Sequence, residues 1–183
     1  PNSHRVPLSW LRINASASIR WRTVRDILPA GSASDGDAHA LRQEVLAYKP
    51  VLLAIRKQKK NGIWGDGILE TGVLRSPTAK DVGTVAQYRL LADLGVPRDE
   101  RALRLTERVF FRLLSRDEDP SLLFEYSKVA KGNPELAQWS RGLMRQGAAA
   151  ALAHAGHIED PRVRGAAHRV ASEISQFLRS ELA

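Results

Sequence analysis

"LADLGVPRDERAL", residues 91–103, returns further along the chain as "LAHAGHIEDPRV", residues 152–163. Gly95, Asp99 and Arg101 correspond to Gly156, Asp160 and Arg162, each pair 61 positions apart. Both copies carry the residue types that end one helix and begin another. A Gly suits the left-handed C-cap, a short link follows, and an Asp suits the N-cap of the next helix. "PAGSASDGDAHAL", near 29–41, repeats the order loosely, with Gly31 and Asp35 at the same spacing. Helix, Gly, link, Asp, helix is an αα-hairpin used two or three times. Hairpins repeated at this period predict a partial α/α-toroid or a solenoid, in which each pair packs on its neighbours.

The segments outside these turns agree. Residues 17–28 place Ile19, Val24, Ile27 and Leu28 at helical spacing, and a helix is expected over 39–59, kinked or split at Pro50. Helices are also expected over 83–94, 99–115, 134–155 and 161–181. Over 99–115, Ala102, Leu105, Val109 and Leu113 form one stripe while Arg101, Arg104, Arg108 and Arg112 form another. No segment alternates with the period of two that a strand requires, so the chain reads as all-α. Residues 1–16, with two prolines and little periodicity, read as an extended N-terminal arm, and 17–183 as a helical-hairpin repeat domain.

The 183 residues carry 28 Lys and Arg against 20 Asp and Glu, a net charge of +8 and a pI near 10.3. That excess favours acidic partners: an acidic protein, an anionic membrane face or nucleic acid. The chain has no Cys, which excludes disulfides, thiol catalysis and Cys-based zinc sites. The longest weakly apolar run, 147–156, falls far short of the roughly 20 residues of a membrane span. The chain opens on Pro1 with no signal-peptide pattern, as expected of a processed or trimmed piece that is soluble or peripheral. Its compartment is unassigned.

The least regular stretch begins "LLAIRKQKKNGIWGDG" (52–67), where Gln58, Gly62 and Trp64 stand in the order QxxxGxW. That order resembles the QW motif of the terpenoid cyclases related to squalene–hopene cyclase, whose α/α barrel is shared with protein prenyltransferase β-subunits. The resemblance spans roughly 45–180, and 83–115 is similar to the helix pair that follows such a motif. It implies that Gln58 ties a helix end to the neighbouring turn while Trp64 packs over it, a clasp without chemistry. The chain departs from the family where catalysis resides. It has no DxDD acid string, "RDEDP" (116–120) being the nearest acidic cluster, and no Cys for a prenyltransferase zinc. Aromatic residues make up only 6% of it, against a cavity lined with aromatics that stabilise carbocations.

The candidate interaction residues are cationic, with two exceptions. Arg56, Lys57, Lys59 and Lys60 either complement the negative end of a helix dipole or grip phosphates. Arg101, Arg104, Arg108 and Arg112 form either a solvent face laced with Glu100 and Glu107 or a docking face. Trp10 and Leu11 lie in the arm, which either binds a partner or folds back on its own domain. His4, His39, His154, His157 and His168 have no HExxH spacing, and GxSxG and phosphate-loop strings are absent. Asp66, between Gly65 and Gly67, is either a general acid in an exposed loop or a turn residue bonded to its own backbone, and the turn is the expectation. No catalytic, cofactor-binding or metal-ligating residue is assigned, and no cofactor is expected. The function expected is a non-catalytic helical-repeat interaction or scaffold subunit, docking on an acidic protein or anionic membrane surface of a larger assembly. The alternatives are part of an isoprenoid- or lipid-handling cyclase- or prenyltransferase-like enzyme, and a HEAT-like nucleic-acid-binding module.

Overall fold

The computed structural model describes residues 7–29, 31–69, 83–116 and 119–180, and the regular structure among them is entirely helical. The elements are α1 (Leu8–Asn14), α2 (Ala17–Arg22) running into a π-helical turn (Thr23–Ile27), α3 (Asp35–Ala47) and α4 (Lys49–Arg56). After the loop come α5 (Thr84–Asp93), α6 (Arg101–Ser115), a 3-10 segment (Pro120–Tyr126), α7 (Pro134–His154) and α8 (Pro161–Leu178). Residues 1–6 of the expected arm, 70–82, 117–118 and the end of the expected last helix lie outside the described residues.

Local chemistry sets the helix boundaries. Asn133 and Asp160 cap α7 and α8 by accepting from the N–H groups of Leu136 and Arg162, and a Pro follows each cap at the first helical position. Tyr48 breaks the expected 39–59 helix into α3 and α4, with Pro50 in the first turn of α4. Thr23, buried, bonds back to the Ile19 carbonyl at 2.8 Å, and the following bonds widen to the π pattern.

α7 is the centre of the packing, touching α5, α6, α8 and the 3-10 segment. Its buried face carries Ala137, Ser140, Met144, Ala148, Ala151 and Leu152. α6 meets it with Leu103, Phe110, Leu113 and Leu114, while Tyr88 of α5 packs edge-on to Phe110 at 5.2 Å. Small residues on α7 let its neighbours approach closely, and the larger side chains come from α5 and α6.

The two echoing turns share their hydrogen bonds. Val96 N–H reaches Leu91 O and Gly95 N–H reaches Ala92 O; His157 reaches Leu152 O and Gly156 reaches Ala153 O. Both are Schellman closures, with Gly95 at φ +82° and Gly156 at φ +85°. The expected caps beyond them hold only in part. Asp160 is a cap, but the link after Gly95 is one residue longer, so Glu100 takes the N-cap position of α6 and bonds nothing there with its side chain. Asp99 instead accepts twice from Arg42 Nη2, each at 2.6 Å. Near residue 35 the cap is Ser34, with Asp35 inside the helix. Residues 8–14, expected as extended arm, form α1 against α2 and the π turn; seven residues with no side-chain cap give little periodic signal.

Asp160 also binds the Arg162 guanidinium, which holds its carboxyl well below the usual range, at about 2. A depressed folded value stabilises the fold above the unfolded value of about 4 and loses that contribution as pH falls toward 2. Asp160→Asn keeps an acceptor for the helix but removes the charge. Its melting temperature is expected to lie below wild type at pH 7 and to meet it near pH 2. A gap that is constant with pH would show that the charge contributes nothing. Asp160→Ala, losing the cap as well, is expected to cost about 1 kcal/mol more.

Candidate functional site

The segment that follows α4 is fixed from several sides. The Gln58 amide donates to Ala102 O at 2.8 Å and Thr106 Oγ1 at 2.9 Å on α6, with Gly62 O at 3.2 Å. The Thr106 hydroxyl in turn donates to Gly62 O at 2.7 Å, so Gln58 Nε2, Thr106 Oγ1 and Gly62 O all have partners. Gly62 sits at φ +88°, and a Cβ there would fall 2.7 Å from the Leu105 carbonyl. Trp64 is 2% exposed and donates from Nε1 to Ala54 O of α4 at 2.7 Å. Its backbone N–H reaches Thr84 Oγ1 at the start of α5, and the Thr84 hydroxyl donates to Gly67 O at 2.6 Å. Glu125 completes the corner, its carboxylate accepting from Ile68 and Leu69 N–H at 2.8 and 2.7 Å.

This buried corner carries charge on its outer side. Lys59 pairs with Asp66, so that Asp holds the turn. Arg56, Lys57 and Lys60 are exposed and make no ion pair among the described residues. On α4 the outward face reads Lys49, Leu52, Leu53, Arg56 and Lys57, with Leu52 and Leu53 38% and 48% exposed. Because Gly62 rests on Leu105 and Gln58 on Ala102 and Thr106, the corner lies on the half of α6 that carries Arg101, Arg104 and Arg108.

The Arg stripe lacks the glutamate lacing that its spacing suggested. Arg101, Arg104, Arg108 and Arg112 are exposed and without an ion pair among the described residues. Glu107 turns inward, accepting from the Tyr88 hydroxyl and lying against His157 Nε2, both at 2.9 Å. Burial and the Glu107 charge push the Tyr88 phenol well above its ordinary value. Asp99 is taken by Arg42, whose hydrogen bonds hold its carboxyl below the usual range. Trp10, 57% exposed, and Leu11, half-buried, sit on α1 against α2 and the π turn rather than on α4 or α6.

His154 meets Asp93 at 2.6 Å, a contact between equivalent positions of the two echoing turns. His39 and His168 are exposed, and His4 lies outside the described residues. Among the described residues no three His, Asp or Glu side chains gather as metal ligands, and no helix is long and apolar enough to cross a membrane. Asp119 of the acidic cluster caps the 3-10 segment through Ser121, while Asp117 and Glu118 lie outside the described residues.

One contact had no signal in the sequence. Ser18 Oγ, Trp21 Nε1 and Arg22 Nη1 donate to the Leu94, Gly95 and Asp93 carbonyls at 2.5, 2.9 and 3.0 Å. Three side chains of one short helix thereby satisfy the open end of α5, across more than 70 residues of chain. Neither family models, curated proteins nor solved structures give a match to this chain.

The corner network predicts coupled energetics. Gln58→Ala and Thr106→Ala should each cost about 1–3 kcal/mol in denaturant unfolding, because each strands a buried partner. The double variant should depart from their sum by at least about 0.5 kcal/mol. Additive costs would mean that the two side chains act separately.

Proposed function

We propose that the chain is a non-catalytic interaction module that docks an acidic protein through the cationic corner after α4 and the half of α6 on which that corner rests. One observation carries this reading: apart from Lys59, the cations of that face make no ion pair with the carboxylates around them among the described residues. Glu107 faces Tyr88 and His157, Asp99 is held by Arg42, and Lys59 alone of the corner cations has an acidic partner among the described residues. On α4 the exposed Leu52 and Leu53 are flanked at helical spacing by Lys49 and Arg56, so apolar and cationic side chains lie together on that helix. The matched turns support a helical-repeat scaffold as its architecture.

The composition of the face favours protein over the other polyanions. No exposed aromatic side chain stands on α4 or α6 to stack on bases. Two leucines offer a bilayer little apolar area for insertion. The test compares poly-L-glutamate, a DNA duplex and vesicles rich in phosphatidylserine as ligands of the whole chain. Poly-L-glutamate should bind best, weaken as salt rises, and lose about tenfold in affinity with Arg104→Glu/Arg108→Glu at an unchanged melting temperature. Tighter binding to duplex or vesicles, or an unaffected variant, would overturn the proposal.

A further inference from the structure

The face of α7 and α8 turned away from α6 holds two adjoining clefts of different chemistry. The first, of about 750 Å³, is lined by Arg141, Arg145 and Arg169 with Gln138, Gln146 and Glu173. The second, of about 460 Å³, is walled by Ala149, Ala150, Ala153, Ala167, Ala171 and Ile174. They share Gln146, Ala166 and Val170, so one groove runs along the helix pair from a cationic end to an apolar end. On α7 it extends from Pro134 to Ala153, about 30 Å at helical rise.

The apolar side continues past the groove. α8 carries Val163, Val170, Ile174, Phe177 and Leu178 on one side, yet only Val163 is buried. Ile174, Phe177 and Leu178 are 54%, 55% and 66% exposed. An amphipathic stripe left open over two turns, beside a groove with a cationic end, calls for an occupant that is apolar along part of its length and acidic along the rest.

We propose that this groove seats an amphipathic acidic helix of a partner protein. Charge complementarity selects the occupant. Arg141 and Arg169 make no ion pair among the described residues, so against Glu173 alone they leave the cleft net positive. A second copy of the chain would set these arginines against their own kind, on a molecule already at +8. The groove is open and as long as a helix of about 20 residues, and its alanine walls admit a third helix at close range. From Arg141 to Ala150 is about 13 Å along α7. The partner helix therefore carries apolar residues at i, i+3, i+4 and i+7 in one half and Asp or Glu two to three turns away. This site is separate from the α4 and α6 face and does not rest on it.

An unbiased selection tests it, using 20-residue peptides displayed at random against the whole chain. The enriched sequences should share that pattern, and their synthetic peptides should bind more weakly by about tenfold to Arg141→Glu/Arg169→Glu. Ala150→Trp, which fills the groove from an exposed position, should abolish binding at an unchanged melting temperature, and Ala167→Arg is the second variant should the first fail to fold. Arg104→Glu/Arg108→Glu should leave peptide binding intact, so loss of the proposed α6 function and loss of this site are read separately. No enriched pattern, or binders indifferent to the groove variants, overturns the proposal. So does self-association removed by Ala150→Trp, which assigns the groove to a second copy, or anionic-vesicle binding removed by it, which assigns the groove to a membrane.

Discussion

The Gln58 amide directs its protons to the Ala102 carbonyl and the Thr106 hydroxyl, inside a contact where Thr106 is fully buried. A polar group stranded there costs on the order of 1–3 kcal/mol, so the end of α4 and the first half of α6 have one favourable register. Gly62 can approach the α6 backbone only because it lacks a Cβ. Trp64 then anchors the loop to α4, Thr84 joins it to α5, and Glu125 binds it from the 3-10 segment. Elements α4, α5, α6 and the 3-10 segment thus meet on one stretch of irregular chain. The position of the cationic corner on the surface follows from this buried arrangement rather than from the charges themselves.

The echoing turns show how the same local chemistry leads to different surroundings. Both close through the same pair of backbone bonds, and Asp93 and His154, at matching positions, touch each other. Beyond the closure they diverge. The carbonyls at the end of α5 are satisfied by Ser18, Trp21 and Arg22, which fixes α2 in place. At the end of α7 the Arg98 guanidinium lies over Gly156, where a Cβ would collide with it. One additional residue in the first link suffices to move Asp99 off the helix cap and into a pair with Arg42. Local motifs fix how a helix ends, and long-range side chains decide what the end is used for.

Much of the fold was legible because helical signals are local. Amphipathic spacing, Gly at the turns and Asp160 as a cap located α5 to α8 within a few residues, and Pro50 marked the division between α3 and α4. The misses share a physical cause. Helix α1 is too short for its spacing to stand out, and Ser34 displaced Asp35 as cap because either side chain can serve. Glu107 read as a surface residue at i+3 from Arg104, but the Tyr88 hydroxyl and His157 lie on its inner side, and no local pattern reports them. Glu125 and Trp21 act across 56 and 74 residues, where a single sequence carries no pairing information. The α7–α8 groove was hidden for another reason: its walls are alanines, which read as ordinary helix former until a second helix is placed beside them.

The surface electrostatics follow from where the carboxylates are used. Glu44, Asp26, Asp99 and Asp160 each hold an arginine, while Glu107 and Glu125 bind groups at helix and loop junctions. The carboxylates nearest α6 are directed elsewhere, Glu107 to Tyr88 and His157 and Asp99 to Arg42, so Arg104 and Arg108 make no close ion pair among the described residues. The arginines therefore fall into two physical kinds. Arg20, Arg22, Arg42 and Arg162 have partners within the chain, and replacing them changes stability and charge together. Arg104 and Arg108 on α6, and Arg141 and Arg169 beside the groove, have no ion-pair partner among the described residues, so their charge is available to a ligand without loosening the fold. Cations that are not needed for folding need no reordering of the protein to meet a charge of opposite sign, which is the preorganisation that the proposed acidic partners would use.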